Sequence, residues 1–248
     1  MKYLLLVIRV TLVSLTTSFL ICGLWIHSLF VADKERIGFF YRRIWARCSC
    51  AILGMKVEVK KHPDKKERGL YVSNHRSLTD PIVQIMFFDA YIIAKAEVNH
   101  IPIIGKGASM TGIVFVDRAR INSRVAARVK TNELLESGMN VLVYPEGTTT
   151  VGIGTEVFRR GTFNAAKDAS APVIPVAIEY RDEKDFWHSG GMATQLIRQI
   201  GSWRTHVRIS IGEAYVESNV ETSISIAREW IDQELVDLQS SWSRVFTQ

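Results

Sequence analysis

From residue 55 onward the chain alternates short β-rich runs with stretches of helical period, and this alternation restricts the fold more than any other feature. Residues 57–60, 70–73, 91–95, 113–116, 141–144, 173–180 and 207–211 are rich in Val, Ile, Leu, Tyr and Phe and read as strands. Residues 81–88, 122–137, 159–169 and 222–240 read as helices, with Asn122 placed to cap the second and Gly138 to stop it. Strands interleaved with helices imply an α/β fold: a mixed, largely parallel sheet covered by helices, with functional residues at strand ends. In the last helix Ile224, Ala227, Ile231, Leu235 and Leu238 recur at helical spacing, which favours core packing over a partner or lipid surface. A proline, Pro175, interrupts the 173–180 run and predicts an edge strand or a bulge there.

The N-terminal part is of another kind. Residues 3–32 are overwhelmingly apolar, and 10–26 carry no charge, about the shortest run that spans a bilayer. A cleaved signal peptide is the competing reading, but the run is long and Phe30-Val31-Ala32 is a poor cleavage site, so a retained membrane segment is expected. Arg9, near one end, is placed to snorkel to the headgroups. Residues 36–53 interleave Phe39, Phe40, Tyr41 and Trp45 with Arg36, Arg42, Arg43 and Arg47, which suits a helix lying in the interface; an amphipathic helix docked on the domain is the alternative. The division expected is therefore a membrane-anchoring helical segment, 1–54, and a single domain, 55–248.

Charge follows the same division. Residues 1–68 hold 13 Lys and Arg against 5 Asp and Glu, whereas the other 180 hold 18 against 20. The net charge of +6 thus belongs to the hydrophobic end, which fits anionic lipid and argues against a nucleic-acid partner. Basic residues just after the apolar run place the domain on the cytosolic side of a membrane. Cys22, Cys48 and Cys50 form no even framework and no metal spacing, and the six histidines form no His-Glu-x-x-His cluster, so neither disulfides nor a metal is expected.

The chemistry concentrates in Ser73-Asn74-His75-Arg76-Ser77-Leu78-Thr79-Asp80-Pro81, between a strand and a helix. Asp before Pro is a helix-entry signal, with Asp80 placed to cap the first amides. An imidazole can take a proton from a hydroxyl and return it later, and a carboxylate on its far nitrogen fixes the tautomer. No Gly-x-Ser-x-Gly elbow accompanies the pair, so the substrate's own hydroxyl is the expected nucleophile. Taken alone, a His-x-x-x-x-Asp pattern more often marks a structural turn than a catalytic pair. Further blocks give it company: Gly112-Ile113-Val114-Phe115-Val116-Asp117-Arg118, Val141-Leu142-Val143-Tyr144-Pro145-Glu146-Gly147-Thr148, and Ala171-Pro172-Val173-Ile174-Pro175-Val176.

Together with His75 and Asp80, these blocks resemble the 1-acylglycerol-3-phosphate acyltransferase family of glycerolipid synthesis, over about residues 55–215. The resemblance implies acyl transfer from acyl-CoA or acyl-carrier protein to the free hydroxyl of 1-acylglycerol-3-phosphate, giving phosphatidate. His75 would be the general base and Asp80 its orienter, with no acyl-enzyme and no cofactor beyond the acyl carrier. It assigns Arg118 to the acceptor's phosphate, Glu146, Gly147 and Thr148 to acceptor binding, and a basic residue to the place of Lys95, where it would steer an anionic headgroup or support the oxyanion. A planar guanidinium suits bidentate phosphate contact. In one respect this chain departs from the family. Members acting on lysophosphatidate continue Glu-Gly-Thr with arginine and serine, whereas here Thr149 and Thr150 follow, leaving Arg159 or Arg160 as substitutes. Another lyso-lipid acceptor, such as lyso-ornithine lipid, is therefore the alternative. A lipid hydrolase and a non-catalytic lipid-binding protein are more distant readings, since neither a serine elbow nor a metal cluster is evident.

Overall fold

A computed structural model describes residues 1–63, 67–95, 111–116, 123–188, 191–240 and 242. Two helices come first: α1 (Lys2–His27) and α2 (Lys34–Ile52), the latter capped by Asp33, whose carboxylate accepts the Arg36 amide. Next come β1 (Met55–Lys61), β2 (Leu70–Ser73), α3 (Asp80–Gln84), β3 (Tyr91–Lys95), β4 (Ile113–Val116), α4 (Ser123–Glu136) and β5 (Val141–Val143). The chain continues through α5 (Arg160–Asp168), β6 (Val173–Tyr180), a 3-10 turn (Glu183–Asp185), α6 (Met192–Ile200), β7 (Thr205–Ile211) and α7 (Val220–Gln239).

The strands form one sheet in the order β1-β7-β6-β2-β5-β3-β4. All neighbours run parallel except β6 and β7. The α/β sheet expected from the alternation is therefore present, mixed and largely parallel. Its central strands are buried on both faces, so they read as continuous apolar runs. Leu70, Val72, Val141, Val143 and Val173 face α4, α5 and α7, where Ala227, Ile231 and Leu235 fill the layer. Tyr71, Leu142, Ile174 and Ile209 face the other way, against Ala46 of α2 and Ile85 and Phe88 beyond α3.

Pro175 does not mark an edge, because β6 lies between β7 and β2. The ladder to β7 begins only at Val176, and the Pro175 carbonyl accepts from Gly212, beyond the end of β7. N–H and C=O of one strand residue point to the same side, so the missing donor falls where the partner strand has already stopped.

α1 is long and apolar enough to cross a membrane, and Arg9 and Leu24 are its buried residues. Tyr3, Leu4, Val7, Leu15, Phe19 and Trp25 are exposed along it. Arg9 does not snorkel. It turns inward, donating to the carbonyls of Ile200 (2.8 Å), Ser202 and Trp203 (2.8 Å) at the end of α6. Gly54, at φ +71°, leaves the room: a Cβ there would collide with the Arg9 guanidinium. α2 is docked on the domain rather than free in an interface. Arg42 donates to Ala90 O and Thr111 O, both at 2.8 Å, and Arg43 pairs with Asp89, while Phe40 stays exposed. Trp45 Nε1 donates to Thr17 Oγ1 at 2.8 Å, which fastens the two helices together.

Candidate active site

Parallel pairing of β2 with β5 and β6 brings the C-terminal ends of these strands to one edge of the sheet. The chain leaving β2 carries His75, the chain leaving β5 carries Glu146, and β6 ends at Tyr180. Asn74 makes the first turn reproducible. Its side-chain amide bonds both Ile178 N and Ile178 O at 2.9 Å, extending the β2–β6 ladder by one side chain.

His75 and Asp80 meet, with Nδ1 2.8 Å from Oδ2. The Asp80 carboxylate also accepts the amides of Arg76 (2.6 Å) and Ser77 (2.9 Å) on Oδ2 and the Tyr180 hydroxyl (2.7 Å) on Oδ1. It thus turns back onto its own loop instead of capping α3, whose N-cap is Thr79. With amide and hydroxyl donors on both oxygens, Asp80 is an acceptor, so Nδ1 of His75 carries the proton and Nε2 the free lone pair. Asp80 is fully buried, whereas the His75 side chain remains 16% exposed. The Tyr144 ring lies on the imidazole, 4.1 Å between centroids and 21° from parallel. Burial, with the Asp80 charge adding to it, pushes the Tyr180 hydroxyl well above the usual phenol range and keeps it a donor.

Beneath this pair runs a buried ionic link. Arg76 and Glu179 are both fully buried and lie 3.3 Å apart. Arg76 also reaches Thr150 O at 3.2 Å, and Gln239 Nε2 donates to Glu179 at 2.7 Å. Thr150 N donates to His75 O at 2.9 Å, so the turn after β5 is bound to the histidine loop. Within that turn the buried Glu146 accepts from Thr150 Oγ1 at 3.1 Å, and burial raises its carboxyl above the ordinary range despite the pull of Arg76. Gly147 stands at φ +75°, and a Cβ there would strike the Arg159 guanidinium, which rests on it. Thr148 is exposed, and Thr149 donates to Trp187 O at 2.5 Å. Arg160 is engaged elsewhere, 2.7 Å from Glu221.

Of the residues singled out in the sequence, His75, Asp80, Glu146, Gly147 and Thr148 thus gather at one edge. Lys95 ends β3 beside β5, with its side chain outside what is described, and Arg118, Asp117 and Asn122 lie outside the described residues. Sequence reasoning passed over Tyr180, Gln199, whose side chain bonds Ser77 Oγ and Thr79 Oγ1, and the Arg76–Glu179 pair. A glutamate inside the otherwise apolar 173–180 run was the available signal for the last, since a charge there needs a buried partner.

Residues 54–179, just over half of the chain and the part that carries this edge, match the acyltransferase family model, and the chain belongs to that family. Its relatives include the 1-acyl-sn-glycerol-3-phosphate acyltransferase of Borreliella burgdorferi, 29% identical over 58% of this chain and 59% of that protein. The enzyme of the same name from Neisseria gonorrhoeae is 32% identical over 54% and 52% of the two chains. The lyso-ornithine lipid O-acyltransferase of Pseudomonas aeruginosa is 34% identical over 56% and 53%. The chain spans about half the length of the curated relatives it matches. In fold it is similar to the crystal structure of the 1-acyl-sn-glycerophosphate (LPA) acyltransferase PlsC from Thermotoga maritima, with a TM-score of 0.76, 23% identity and 98% of each chain covered.

Proposed function

We propose that this protein transfers a fatty acyl group from a thioester, acyl-CoA or acyl-carrier protein, to the free hydroxyl of 1-acylglycerol-3-phosphate, forming phosphatidate. The observation that carries the reading is the partly exposed imidazole held by a buried carboxylate at 2.8 Å. Nε2 of His75 takes the hydroxyl proton as the alcohol oxygen attacks the thioester carbonyl. The C–S bond breaks, and the imidazolium returns its proton to the departing thiolate, so no acyl-enzyme forms. Asp80 stabilises the transient imidazolium.

Arg159 supplies a cation to the acceptor's anionic group from its seat on Gly147, with Arg118 and Lys95 as the other basic groups assigned to it. Among the described residues no acidic side chain pairs with Arg159. The exposed apolar face of α1 supports a seat at a membrane, where the lyso-lipid acceptor resides. A second reading keeps the reaction and changes the acceptor to another lyso-lipid, since Thr148, Thr149 and Thr150 leave the turn after Glu146 and Gly147 uncharged.

The test is a panel of lysophosphatidate, lyso-ornithine lipid and other lysophospholipids, offered with labelled acyl-CoA and acyl-carrier protein to wild type and His75→Ala. Phosphatidate formation lost in His75→Ala is the expected result. Release of free fatty acid instead of ester would make the protein a hydrolase.

A further inference from the structure

The buried arginine of α1 has no evident place in membrane anchoring. Arg9 is 6% exposed and spends its guanidinium on three carbonyls, that of Ile200, the last residue of α6, where a helix carbonyl lacks an intrahelical partner, and those of Ser202 and Trp203 in the turn that follows. α6 is nine residues long, too short to hold itself in place. Its inward face carries Gln195 and Gln199, both buried. Gln199 stands one residue before the first carbonyl that Arg9 holds.

From Gln199 two short paths reach the two oxygens of Asp80. Nε2 donates to Thr79 Oγ1 at 3.0 Å, Thr79 lies 2.8 Å from the Tyr180 hydroxyl, and that hydroxyl donates to Asp80 Oδ1 at 2.7 Å. On the other side Ser77 Oγ donates to Gln199 Oε1 at 3.1 Å, and the Ser77 amide donates to Asp80 Oδ2 at 2.9 Å. The same side chain therefore braces both halves of the carboxylate.

We propose that Arg9 is a positioning residue for the His75–Asp80 pair, acting through the end of α6 and Gln199, so that the N-terminal helix is part of the catalytic apparatus as well as an anchor. The proposal rests on His75 acting as the base. Without Arg9 the end of α6 loses its donors, Gln199 drifts, and the carboxylate loses its fixed aim at Nδ1. Displacements on the ångström scale cost reaction rate more than substrate affinity.

The experiment compares wild type, Arg9→Lys, Arg9→Met, Gln199→Met and the Arg9→Met/Gln199→Met double variant as full chains in detergent micelles, using the acceptor and donor that wild type accepts. We expect kcat to fall roughly tenfold in Arg9→Met, with KM for both substrates held within about twofold. Arg9→Lys, which keeps one donor group, should recover part of the loss. The double variant should be no slower than the slower single one, because both act along one path. Hydrogen exchange of the Arg76 and Ser77 amides, which bond Asp80, should quicken in each folded variant and would report the change independently of turnover. Full kcat in Arg9→Met, independent losses that multiply in the double variant, or unchanged exchange at Arg76 and Ser77 would overturn the assignment. If Arg9→Met fails to fold, full kcat and unchanged exchange in Arg9→Lys and Gln199→Met would do the same. Absence of any His75-dependent transfer in wild type would instead remove the base itself, and the role of Arg9 with it.

Discussion

At Asp80 four donors converge on one carboxylate: an imidazole, two amides of its own loop and a phenol from a strand 100 residues away. The first was legible in the sequence as His75 five residues upstream, and the amides follow from the tightness of the loop. The Tyr180 hydroxyl was not legible, because nothing in an apolar strand tells which aromatic will end opposite a carboxylate. Tyr180→Phe should cost about 1–3 kcal/mol by leaving Oδ1 short of a donor in a buried place, and should lower kcat. Urea unfolding and turnover measured together check this; full turnover would remove the orienting role. Arg159→Ala should raise KM for a phosphate-bearing acceptor several-fold, roughly the loss of 1–2 kcal/mol of charge-assisted bonding. Arg160→Ala, whose cation already faces Glu221, should leave that KM unchanged. Equal effects of the two would refute the preference for Arg159. Glu146 gives a pH signature. Its carboxyl is raised in the folded state, so ionising it there costs more than in the unfolded chain. That penalty is absent below the ordinary carboxylate range and complete above the raised value. Glu146→Gln removes it, so the variant's stability relative to wild type should improve on going from acid to neutral pH. A difference that stays flat between those conditions would contradict the burial argument.

Among the elements, legibility tracked how apolar the inward face is. The strands Leu70–Ser73, Ile113–Val116 and Val173–Tyr180 could be bounded from the sequence because both of their faces, or one wholly, are hydrophobic. α6 escaped notice although Met192, Leu196, Ile197 and Ile200 recur at helical spacing, because nine residues are a short window for that signal and two of its buried side chains are glutamines. α3 is shorter than the apolar run that announced it, ending at Gln84, with Ile85 in the following turn and Phe88 just past it packed beneath the sheet. Arg76 joins the turn after β2 to two places, pairing with Glu179 of β6 and donating to Thr150 O in the turn after β5. Arg76→Met should destabilise by about 3–5 kcal/mol, since the buried side chain of Glu179 would lose the guanidinium that faces it. The Arg76→Met/Glu179→Leu double variant should recover much of that loss, because it removes both charges. Thermal unfolding of the two variants decides; a double variant as unstable as the single one would show that shape rather than charge governs this junction.

For the whole molecule, the sequence conveyed a hydrophobic beginning and an α/β remainder, but not how they are joined. Arg9 could be seen only as a charge at the margin of an apolar run, because its three carbonyl partners lie some 190 residues further along. Removing residues 1–32 should release the protein from lipid vesicles, as judged by co-sedimentation. Continued sedimentation would shift the lipid contact to α2, where Phe40 is exposed. The inward arginine also bears on any attempt to re-engineer the enzyme. If Arg9 positions the His75–Asp80 pair as proposed, a foreign hydrophobic helix grafted in place of α1 would not restore the rate unless it also presented a guanidinium to the carbonyls of Ile200, Ser202 and Trp203.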